Sequence, residues 1–560
     1  MPQSSSARSR TVSVILAAMV LLATLVSQVT AQDGSKILRV HQLTYPETID
    51  PQKSSFSSEV AFLVANYEGL TRPDSDLRTS PAAAERWESN ADGSVWTFTL
   101  REGLTYSDGS PLTADRFRFA VERTCNPNTA GDYQYVLFDI AGCAEFAGLY
   151  ASAAATPVSP DDAAAFETAR AALGVRALDD RTLEITLNGP APYFPAIAGL
   201  WVFFPAKQEL VEAGGDAWWT DPANHVGNGP FQVTGMEEEQ LVTFEANERY
   251  WAGQPALDGI EYVYVPDGSV ALEAYRAGDL DIVNPDPSQY PVIESDPVLS
   301  QELVRYPGTN SFMYTFNLQM EPFTDLKVRE AFAYGFDRQT FCDVIVNGDC
   351  VPVLSWVPPG VPGAIETDAY AFDPERARQA LAESSYGGPE NLPEITYSFD
   401  STIPDERARA EWIASSYREV LGIEITLEPV DIQTLIARWS DPENYPQLSN
   451  LGWIQDYPDP QNWLSLIWSC EGIFAVPAGY CNEEFDALVA QGDRELDPEI
   501  RLPFYEQASE ILLADLPAVF AYSQANVFLI KPEVTGYDTS PLDIEFPGQF
   551  TSLMTIDVER

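Results

Sequence analysis

The six cysteines are the residues whose type and spacing most directly predict chemistry. They form three close pairs, which are Cys125 with Cys143, Cys342 with Cys350 and Cys470 with Cys481. A structural zinc site usually needs ligands about two to four residues apart, together with histidine partners, and the chain has only His41 and His225. Six cysteines allow fifteen pairings, and in an oxidising compartment the short separations favour these three local disulfides. The spacing therefore indicates disulfide-bonded loops and no metal site.

No run of residues matches a known catalytic signature. Gly227-Asn-Gly229-Pro230 superficially resembles a phosphate-binding loop, but the third glycine of a dinucleotide fingerprint is missing and Pro230 has no N–H to donate. The patterns G-x-x-x-x-G-K-[ST], G-x-S-x-G and H-E-x-x-H are absent. A carboxylate pair for glycoside hydrolysis can be drawn from 84 acidic residues, but sequence spacing gives no distance between them. The sequence therefore predicts neither an enzyme nor a cofactor, and a secreted hydrolase is a distant alternative.

Acidic residues greatly outnumber basic ones. The 560 residues contain 84 Asp and Glu against 32 Lys and Arg, which gives a formal net charge of −52. A field of this sign repels phosphate groups, so nucleic acids and anionic membrane surfaces are poor partners. With 45% hydrophobic residues, the chain can form sizeable cores, and its length predicts two to four domains.

The first 31 residues have the features of a signal peptide. Arg8 and Arg10 precede an apolar run, Val12 to Val26, and small residues lead to a cleavage site after Ala31. The apolar run is shorter than the ~20 residues that a membrane span needs. We therefore expect an exported protein, periplasmic or otherwise extracytoplasmic. No cysteine lies near the cleavage site, so a lipid anchor is unsupported and the means of retention at the cell surface stays open.

The elements that must position any site alternate between strands and helices. The alternating pattern of short strands is seen at Val95 to Leu100, Leu183 to Leu187, Leu241 to Glu245 and Ile260 to Val265. Helical spacing is seen at Val328 to Phe336, Asp373 to Ser384, Arg407 to Val420 and Ile500 to Ala514. Thr113 is predicted to cap a helix start, and Arg329 to pair with Asp325 on a helix. This alternation predicts an α/β protein.

Several motifs in a fixed order carry a resemblance to a known family. They are Thr48-Ile-Asp50-Pro51, Asn66-Tyr-Glu68-Gly69-Leu70, Ala84 to Asp115, Gly227 to Phe231, Asn247 to Trp251, Ala277 to Asp281, Val328 to Ala331, Asp456 to Pro460 and Leu516 to Ala518. In this order they resemble the extracytoplasmic solute-binding proteins of peptide ABC transporters, the oligopeptide- and dipeptide-binding family called solute-binding protein family 5. The resemblance runs from about residue 37 to the C-terminus. Its first two motifs are similar to the family's N-terminal strand and first helix.

The resemblance implies a two-lobed α/β fold of the class II periplasmic-binding-protein type, in its large three-domain form, with the ligand cleft between the lobes. Domain I would comprise residues 37–70, 201–308 and 521–560, with domain II inserted at 71–200 and domain III at 309–520. The lobes would close on a peptide and present it to a membrane permease, with the protein itself a monomer. An oligosaccharide or another solute in the same fold is the main alternative.

The resemblance also implies a set of ligand-binding residues. In oligopeptide-binding members an aspartate of a Trp-x-x-Asp-Tyr segment holds the α-ammonium group of the peptide, and Asp456 of Trp453-Ile-Gln-Asp456-Tyr457 matches it. Trp453 would form an apolar or cation–π wall, and Asp459 fits a turn role. Tyr133 matches a tyrosine beside the ligand, and Phe56 and Ser57 match a segment whose backbone pairs with the peptide as an added strand.

One segment departs from the family pattern. Dipeptide-specific members carry an arginine for the ligand carboxylate in the region that matches Phe399 to Ile403, and this stretch has none. Arg407 is the nearest arginine and is predicted to lie on the following helix. Longer peptides, or a cationic or uncharged ligand, are therefore favoured over a clamp of fixed dipeptide length. Peptide length, side-chain preference and the partner permease are left open by the sequence.

Overall fold

The computed structural model describes residues 35–150, 160–403 and 405–560. The predicted signal peptide lies outside these residues. Strands and helices alternate along the described chain, as predicted for an α/β protein. Among the helices of the described residues, none combines the length and the apolar character that a membrane span requires.

The strands are as follows in chain order: β1 (Ile37–Gln42), β2 (Thr71–Pro73), β3 (Thr79–Pro81), β4 (Ala84–Ser89), β5 (Val95–Leu100), β6 (Val175–Ala177), β7 (Thr182–Thr186), β8 (Phe231–Glu237), β9 (Leu241–Ala246), β10 (Gly259–Tyr264), β11 (Ile282–Val283), β12 (Leu303–Pro307), β13 (Asn310–Phe316), β14 (Cys350–Pro352), β15 (Ile395–Asp400), β16 (Ile425–Val430), β17 (Leu448–Ile454), β18 (Ala518–Ile530), β19 (Val534–Thr535) and β20 (Asp557–Val558).

The α-helices are as follows: α1 (Ser57–Asn66), α2 (Ala114–Cys125), α3 (Cys143–Ala147), α4 (Pro160–Ala172), α5 (Phe194–Ile197), α6 (Gln208–Gly214), α7 (Gly268–Ala277), α8 (Tyr290–Ser295), α9 (Leu299–Glu302), α10 (Leu326–Gly335), α11 (Arg338–Thr340), α12 (Pro374–Glu383), α13 (Glu406–Leu421), α14 (Ile432–Trp439), α15 (Ser465–Trp468), α16 (Ala475–Ala478), α17 (Glu483–Gly492) and α18 (Pro498–Asp515). Two 3₁₀ helices matter for the site, Asp132–Leu137 and Pro460–Asn462.

Most of the predicted elements are present within one or two residues of their expected bounds. Strand β5 has the predicted bounds, because its alternating residues place Trp96, Phe98 and Leu100 in the core. Two local predictions need correction. The helix predicted to start after Thr113 does so, as α2, but the Thr113 side chain makes no capping hydrogen bond. The segment from Thr48 to Pro51 is irregular chain after β1 that leads into a turn at residues 51–53, and it is not part of the N-terminal strand.

The long strand β18 joins two groups of strands into one sheet. The strand order is β16-β15-β17-β13-β18-β11-β1-β10-β9-β8, with β12 and β14 also paired to β18. The first half of β18 pairs with β13 and β14 as far as Gln524, and the second half pairs with β12 and β11 from Ala525 onward. The chain crosses a second time between β12 and β13, at residues 308–309. The two strand groups are therefore connected at β18 and at this short link.

These crossings divide the structure into two lobes. The first lobe comprises the described parts of residues 35–307 and 525–560, and the second lobe comprises those of 310–524. The main core of the first lobe contains Leu38, Phe98 and Tyr262, so it is continuous from the large sheet to the small sheet β4-β5-β7-β6. The second lobe has two cores, around Phe332 and around Trp463. The predicted boundary at 520/521 lies inside β18, and the division of the first lobe into domains I and II stays a prediction.

All six cysteines form disulfide bonds in the pairs that their spacing favours. These bonds are Cys125–Cys143, Cys342–Cys350 and Cys470–Cys481. The first bond closes the loop that contains the 3₁₀ helix Asp132–Leu137. Because a closed loop has fewer unfolded conformations, this bond restricts the segment that carries Tyr133.

Arg329 differs from its predicted role in an ion pair. Its guanidinium group donates to the carbonyl oxygens of Leu516 and Phe323, at 3.1 and 2.7 Å, and to that of Asp515. Asp325 instead caps α10 by accepting from the Lys327 N–H at 2.8 Å. The arginine therefore satisfies carbonyl groups at the C-terminal end of α18, which four-residue spacing along its own helix could not predict.

Candidate functional site

A cavity with a volume of about 610 Å³ lies between the two lobes. Its walls come from the first lobe near α1, from the end of β17, from the middle of β18 and from residues 541–555. A second cavity of about 440 Å³ lies in the second lobe and shares Ile454 and Gln524 with the first. The two cavities are therefore neighbours at the shared residues Ile454 of β17 and Gln524 of β18, the two strands that flank β13.

Asp456 lies in the wall of the interlobe cavity, two residues after β17 ends. Its Oδ2 accepts from Asn462 Nδ2 at 2.9 Å and from the Tyr135 hydroxyl at 3.2 Å. Asn462 also fixes the loop, because its Oδ1 accepts from the Asp456 N–H at 3.0 Å. No lysine, arginine or histidine of the described residues lies within ion-pair distance of Asp456.

The environment of Asp456 disfavours its charge. Removal from water raises the pKa of this carboxyl to about 6, although hydrogen bonds from Asn462, Tyr135 and Tyr133 oppose that rise. A buried carboxylate is usually paired with a cation, whereas the partners of Asp456 among the described residues are neutral groups. The site can therefore accept a positively charged group from outside the protein.

Tyr133 and Tyr135 lie on the 3₁₀ helix Asp132–Leu137 of the first lobe. Tyr133 lines the cavity, and its ring centroid is 4.8 Å from that of Trp201 and 5.4 Å from that of Tyr135. The Trp201 indole N–H donates to the Ser54 carbonyl at 2.7 Å, which fixes this group of rings. Because Tyr135 donates to Asp456, the two lobes meet at the carboxylate.

Asp459 has a different environment from Asp456. Its two oxygens accept from Arg501 at 2.6 and 2.7 Å, and Oδ1 also accepts from the Gln461 N–H at 2.9 Å. The turn role expected from the sequence is present, together with a buried ion pair that joins the loop to α18. Asp459 does not line either cavity.

Trp453 does not line either of these two cavities, and its role as a wall of the ligand site stays a prediction. Its indole N–H donates to Asn462 Oδ1 at 3.1 Å, and its ring lies edge-on to Phe474 with centroids 5.9 Å apart. Because Asn462 contacts Asp456 directly, Trp453 acts on the carboxylate through Asn462.

Phe56 and Ser57, predicted to pair with the peptide as an added strand, lie at the start of α1 in this structure, and their role in binding stays a prediction. Ser57 is the first residue of α1, and the Phe56 carbonyl accepts from the Val60 N–H at 3.0 Å. The Phe56 N–H donates to Glu59 Oε2 at 3.1 Å, and the side chain of Phe56 is 61% exposed. A helix start offers no free strand edge for pairing. Ser57 does line the cavity, but Phe56 does not.

Among the described residues, Arg72 is the arginine that lines the cavity wall, and it is already paired with a carboxylate. Its Nη1 lies 3.6 Å from Glu68 Oε1. Glu68 also accepts from the Tyr250 hydroxyl at 2.5 Å and from the Trp251 indole N–H at 2.6 Å. Burial raises the pKa of Glu68, opposed by these partners. Trp251 thus supports a cavity carboxylate and is not itself a lining residue.

The second cavity contains an arginine that lies two residues beyond Arg407. Arg409 Nη1 donates to Glu406 Oε1 at 2.8 Å, while its buried Nε has no partner among the described residues. Arg407, the arginine considered from the sequence, is exposed and lies over the Phe399 ring at 5.7 Å. The arginine of each cavity therefore has a carboxylate neighbour within its own lobe.

Comparison with known proteins shows which family this chain belongs to. The sequence pattern of the bacterial extracellular solute-binding proteins, family 5 middle region, matches residues 78–475. The chain belongs to this family. It is 28% identical over 516 residues to the oligopeptide-binding protein OppA of Bacillus subtilis, with 90% of each chain covered. It is 30% identical over 518 residues to the probable deoxycholate-binding periplasmic protein YgiS of Escherichia coli, also with 90% of each covered.

The fold of this family 5 protein agrees with a solved structure of the family. The unliganded open form of the periplasmic murein tripeptide-binding protein MppA superposes with a TM-score of 0.78 and 25% identity, covering 94% of this chain and 97% of MppA. The predicted family and the two-lobed fold are thereby confirmed. This family comprises solute-binding proteins of the extracytoplasmic space rather than enzymes.

In this family 5 protein, sequence reasoning identified Asp456 but missed its partners. The sequence could have indicated Tyr135 as a site residue, because it lies two residues after the predicted Tyr133 on the same short helix. The grounds in the sequence for predicting Asn462 near Asp456 were weaker. They were Asp459 and Pro460, which indicated a turn that would return the chain toward Asp456. Arg409 carried no signal of its own, because only the fold places it in a cavity.

Proposed function

We propose that this family 5 protein captures peptides outside the cytoplasmic membrane and delivers them, as a monomer, to the permease of an ABC importer. Asp456 carries this proposal. It would bind the α-ammonium group of the peptide, because a carboxylate removed from water gains most from a charged donor. The relatives named for oligopeptide and murein tripeptide binding support the same ligand class. The deoxycholate-binding relative indicates that the family fold alone does not fix the ligand.

The charges around the cavities favour peptides longer than a dipeptide. Arg72 is paired with Glu68, and Arg409 is paired with Glu406. Neither arginine is free to bind a ligand carboxylate without competing with its own partner. A carboxylate that extends beyond the cavity stays in water and needs no such partner. The missing arginine between Phe399 and Ile403 supports the same conclusion.

Closure of the lobes would complete the site. The Tyr135 hydroxyl from the first lobe reaches Asp456 of the second, and the rings of Tyr193 and Tyr457 stack across the lobes with centroids 6.2 Å apart. The link at residues 308–309 and the middle of β18 are the segments that would bend as the hinge. Hinge closure around a ligand is a common mode of binding in two-lobed proteins.

The proposal is tested by titration calorimetry with tetra-alanine and N-acetyl-tetra-alanine. In the wild type, acetylation should lower affinity about 30- to several-thousand-fold, because truncating one member of a buried charge pair costs about 2–5 kcal/mol. In the Asp456→Asn variant, acetylation of the peptide should lower the affinity only slightly, because the charged partner of the ammonium group is already absent.

The control is Asp216→Asn, which removes an exposed carboxylate with 93% side-chain exposure, and it should retain the full acetylation penalty. If the penalties of acetylation and of Asp456→Asn simply add, Asp456 does not contact the ammonium group. If the protein instead binds a neutral oligosaccharide with an affinity that Asp456→Asn leaves unchanged, the peptide proposal fails.

A further inference from the structure

Gln455 is a residue of the cavity wall whose side chain carries an unpaired hydrogen-bond donor. This residue precedes Asp456, is 8% exposed and lines the cavity. Its Oε1 accepts from the Trp463 indole N–H at 3.3 Å, and its backbone N–H donates to the Thr309 carbonyl at 3.0 Å. Its Nε2 is buried and has no partner among the described residues. The second lobe therefore holds one unpaired amide N–H₂ group on a residue of the cavity wall.

Gln549 presents a second such group from the first lobe. Its residue exposure is 0%, and it lines the same cavity. Its Oε1 accepts from the Glu545 N–H at 3.1 Å, while its buried Nε2 has no partner among the described residues. The segment that carries it packs on the main core of the first lobe through Phe546 and Leu553. The two glutamines thus belong to opposite walls of the cavity.

The orientation of both side-chain amides is fixed by their oxygen partners. An indole N–H and a backbone N–H can only donate. Rotating either amide by 180° would turn its N–H₂ group toward a donor and leave that donor unpaired. Both amides therefore keep their oxygen toward the protein and their N–H₂ group on the side without a partner.

Most buried polar side-chain atoms have a hydrogen-bond partner, and a buried donor without one is destabilising. Gln52 illustrates the usual case. It is 2% exposed, its Nε2 donates to the Phe204 carbonyl at 3.0 Å, and its Oε1 accepts from Arg123 at 2.8 Å. The two cavity glutamines lack the acceptor that completes such a pattern.

We propose that Gln455 and Gln549 donate to two main-chain carbonyl oxygens of the bound peptide, one from each lobe. This inference rests on the proposed function and deepens it by assigning the residues that bind the peptide backbone. The charges favour a neutral acceptor, because Glu68, Asp456 and Asp543 also line the cavity and would repel a ligand carboxylate. Recognition of the main chain leaves the side chains of the peptide unconstrained.

Binding of tetra-alanine to the Gln455→Met and Gln549→Met variants tests the proposal. Methionine is close to glutamine in length but cannot donate, so each variant should bind tetra-alanine about 5- to 150-fold more weakly than the wild type. Gln52→Met is the matched control. It should unfold at lower urea concentration than the wild type but bind tetra-alanine with unchanged affinity.

Thioamide analogues of tetra-alanine identify the acceptor, because sulphur replaces one carbonyl oxygen at a time and accepts hydrogen bonds weakly. For one analogue, the loss of affinity seen with the wild type should disappear with Gln455→Met, and for another it should disappear with Gln549→Met. If both methionine variants bind tetra-alanine as the wild type does, or if every thioamide penalty adds to every variant penalty, the assignment is wrong. If the wild type does not bind tetra-alanine at all, the proposed function fails and this inference fails with it.

Discussion

Asp456 and Asp459 lie three residues apart in one loop and have opposite environments. Asp459 faces the core of the second lobe, where Arg501 donates to both of its oxygens. Asp456 faces the cavity, where it accepts from Asn462 and Tyr135, and no cation of the described residues lies within ion-pair distance of it. Both carboxylates are largely removed from water, but within the described part of the chain Asp459 has a counter-charge and Asp456 does not.

The difference separates a structural carboxylate from a candidate binding carboxylate. A buried ion pair is stable as a unit, and removing one partner leaves the other charge uncompensated. A carboxylate held only by neutral donors stores a desolvation penalty that an external cation can relieve. Loss of Asp459 should therefore affect folding, whereas loss of Asp456 should affect binding.

The largest expected effect is on the stability of the Asp459→Ala variant. Removing this carboxylate leaves the Arg501 guanidinium buried without its partner, which typically costs about 3–5 kcal/mol. Urea unfolding of the ligand-free protein at pH 7 should report this loss, and Asp456→Ala should lose far less. Equal losses in the two variants would contradict the comparison.

Sequence analysis found the loop that contains both aspartates but could not distinguish their environments. Arg501 lies 42 residues from Asp459, and Tyr135 lies 321 residues from Asp456. Which aspartate acquires a cation depends on how α18 and the 3₁₀ helix of the first lobe pack against the loop. The resemblance assigned Asp456 by its position in a motif, and the structure adds that this carboxylate is held by neutral donors from Asn462 and Tyr135.

The same limit applies to the fold. Strand β5 was predictable because alternation of its own residues places one face in the core. The change of strand partners along β18 was not predictable from the sequence. It depends on pairing with β12 and β13, which lie more than 200 residues earlier in the chain. Phe56 illustrates the same limit locally: Glu59 accepts from its N–H, and this segment is a helix start in the structure.

The next largest effect is a gain in stability for Asp456→Asn without ligand. The pKa of Asp456 is raised from 3.8 to about 6 in the folded protein. The folded state therefore holds its proton more tightly than the unfolded state, and stability falls as pH rises from about 3.8 to 6. Above pH 6 the wild type bears this penalty, about 2–3 kcal/mol at about 1.4 kcal/mol per pKa unit, and the asparagine variant does not.

Urea unfolding at pH 7.5 and pH 4 tests this gain. Asp456→Asn should be more stable than the wild type at pH 7.5, and the difference should shrink at pH 4. Asp459→Asn should be less stable than the wild type at pH 7.5. A stability loss for Asp456→Asn at pH 7.5 would mean that its charge is compensated within the protein.

Peptide affinity should rise about tenfold between pH 5 and pH 7. With a pKa of about 6, Asp456 is about one-tenth ionised at pH 5 and nine-tenths ionised at pH 7, while a peptide α-ammonium group with a pKa near 8 stays largely protonated. Calorimetry with tetra-alanine should follow this ionisation in the wild type. In Asp456→Asn the profile should be flat over the same range, and a slope that persists there would assign the pH dependence to another group.

The smallest expected effect comes from removing one neutral donor, in Tyr135→Phe. The Tyr135 hydroxyl stabilises the ionised form of Asp456 from across the cleft, so its loss should raise the pKa of Asp456 and move the midpoint of the affinity profile to higher pH. Affinity for tetra-alanine at pH 7 should fall about 2- to 10-fold, since one such hydrogen bond contributes about 0.5–1.5 kcal/mol. Tyr193→Phe is the control, because its hydroxyl donates to Asp139 at 2.9 Å and not to Asp456. A midpoint that moves equally in both variants would assign the shift to general changes in the cleft, whereas movement in Tyr135→Phe alone would establish that the first lobe tunes the carboxylate of the second.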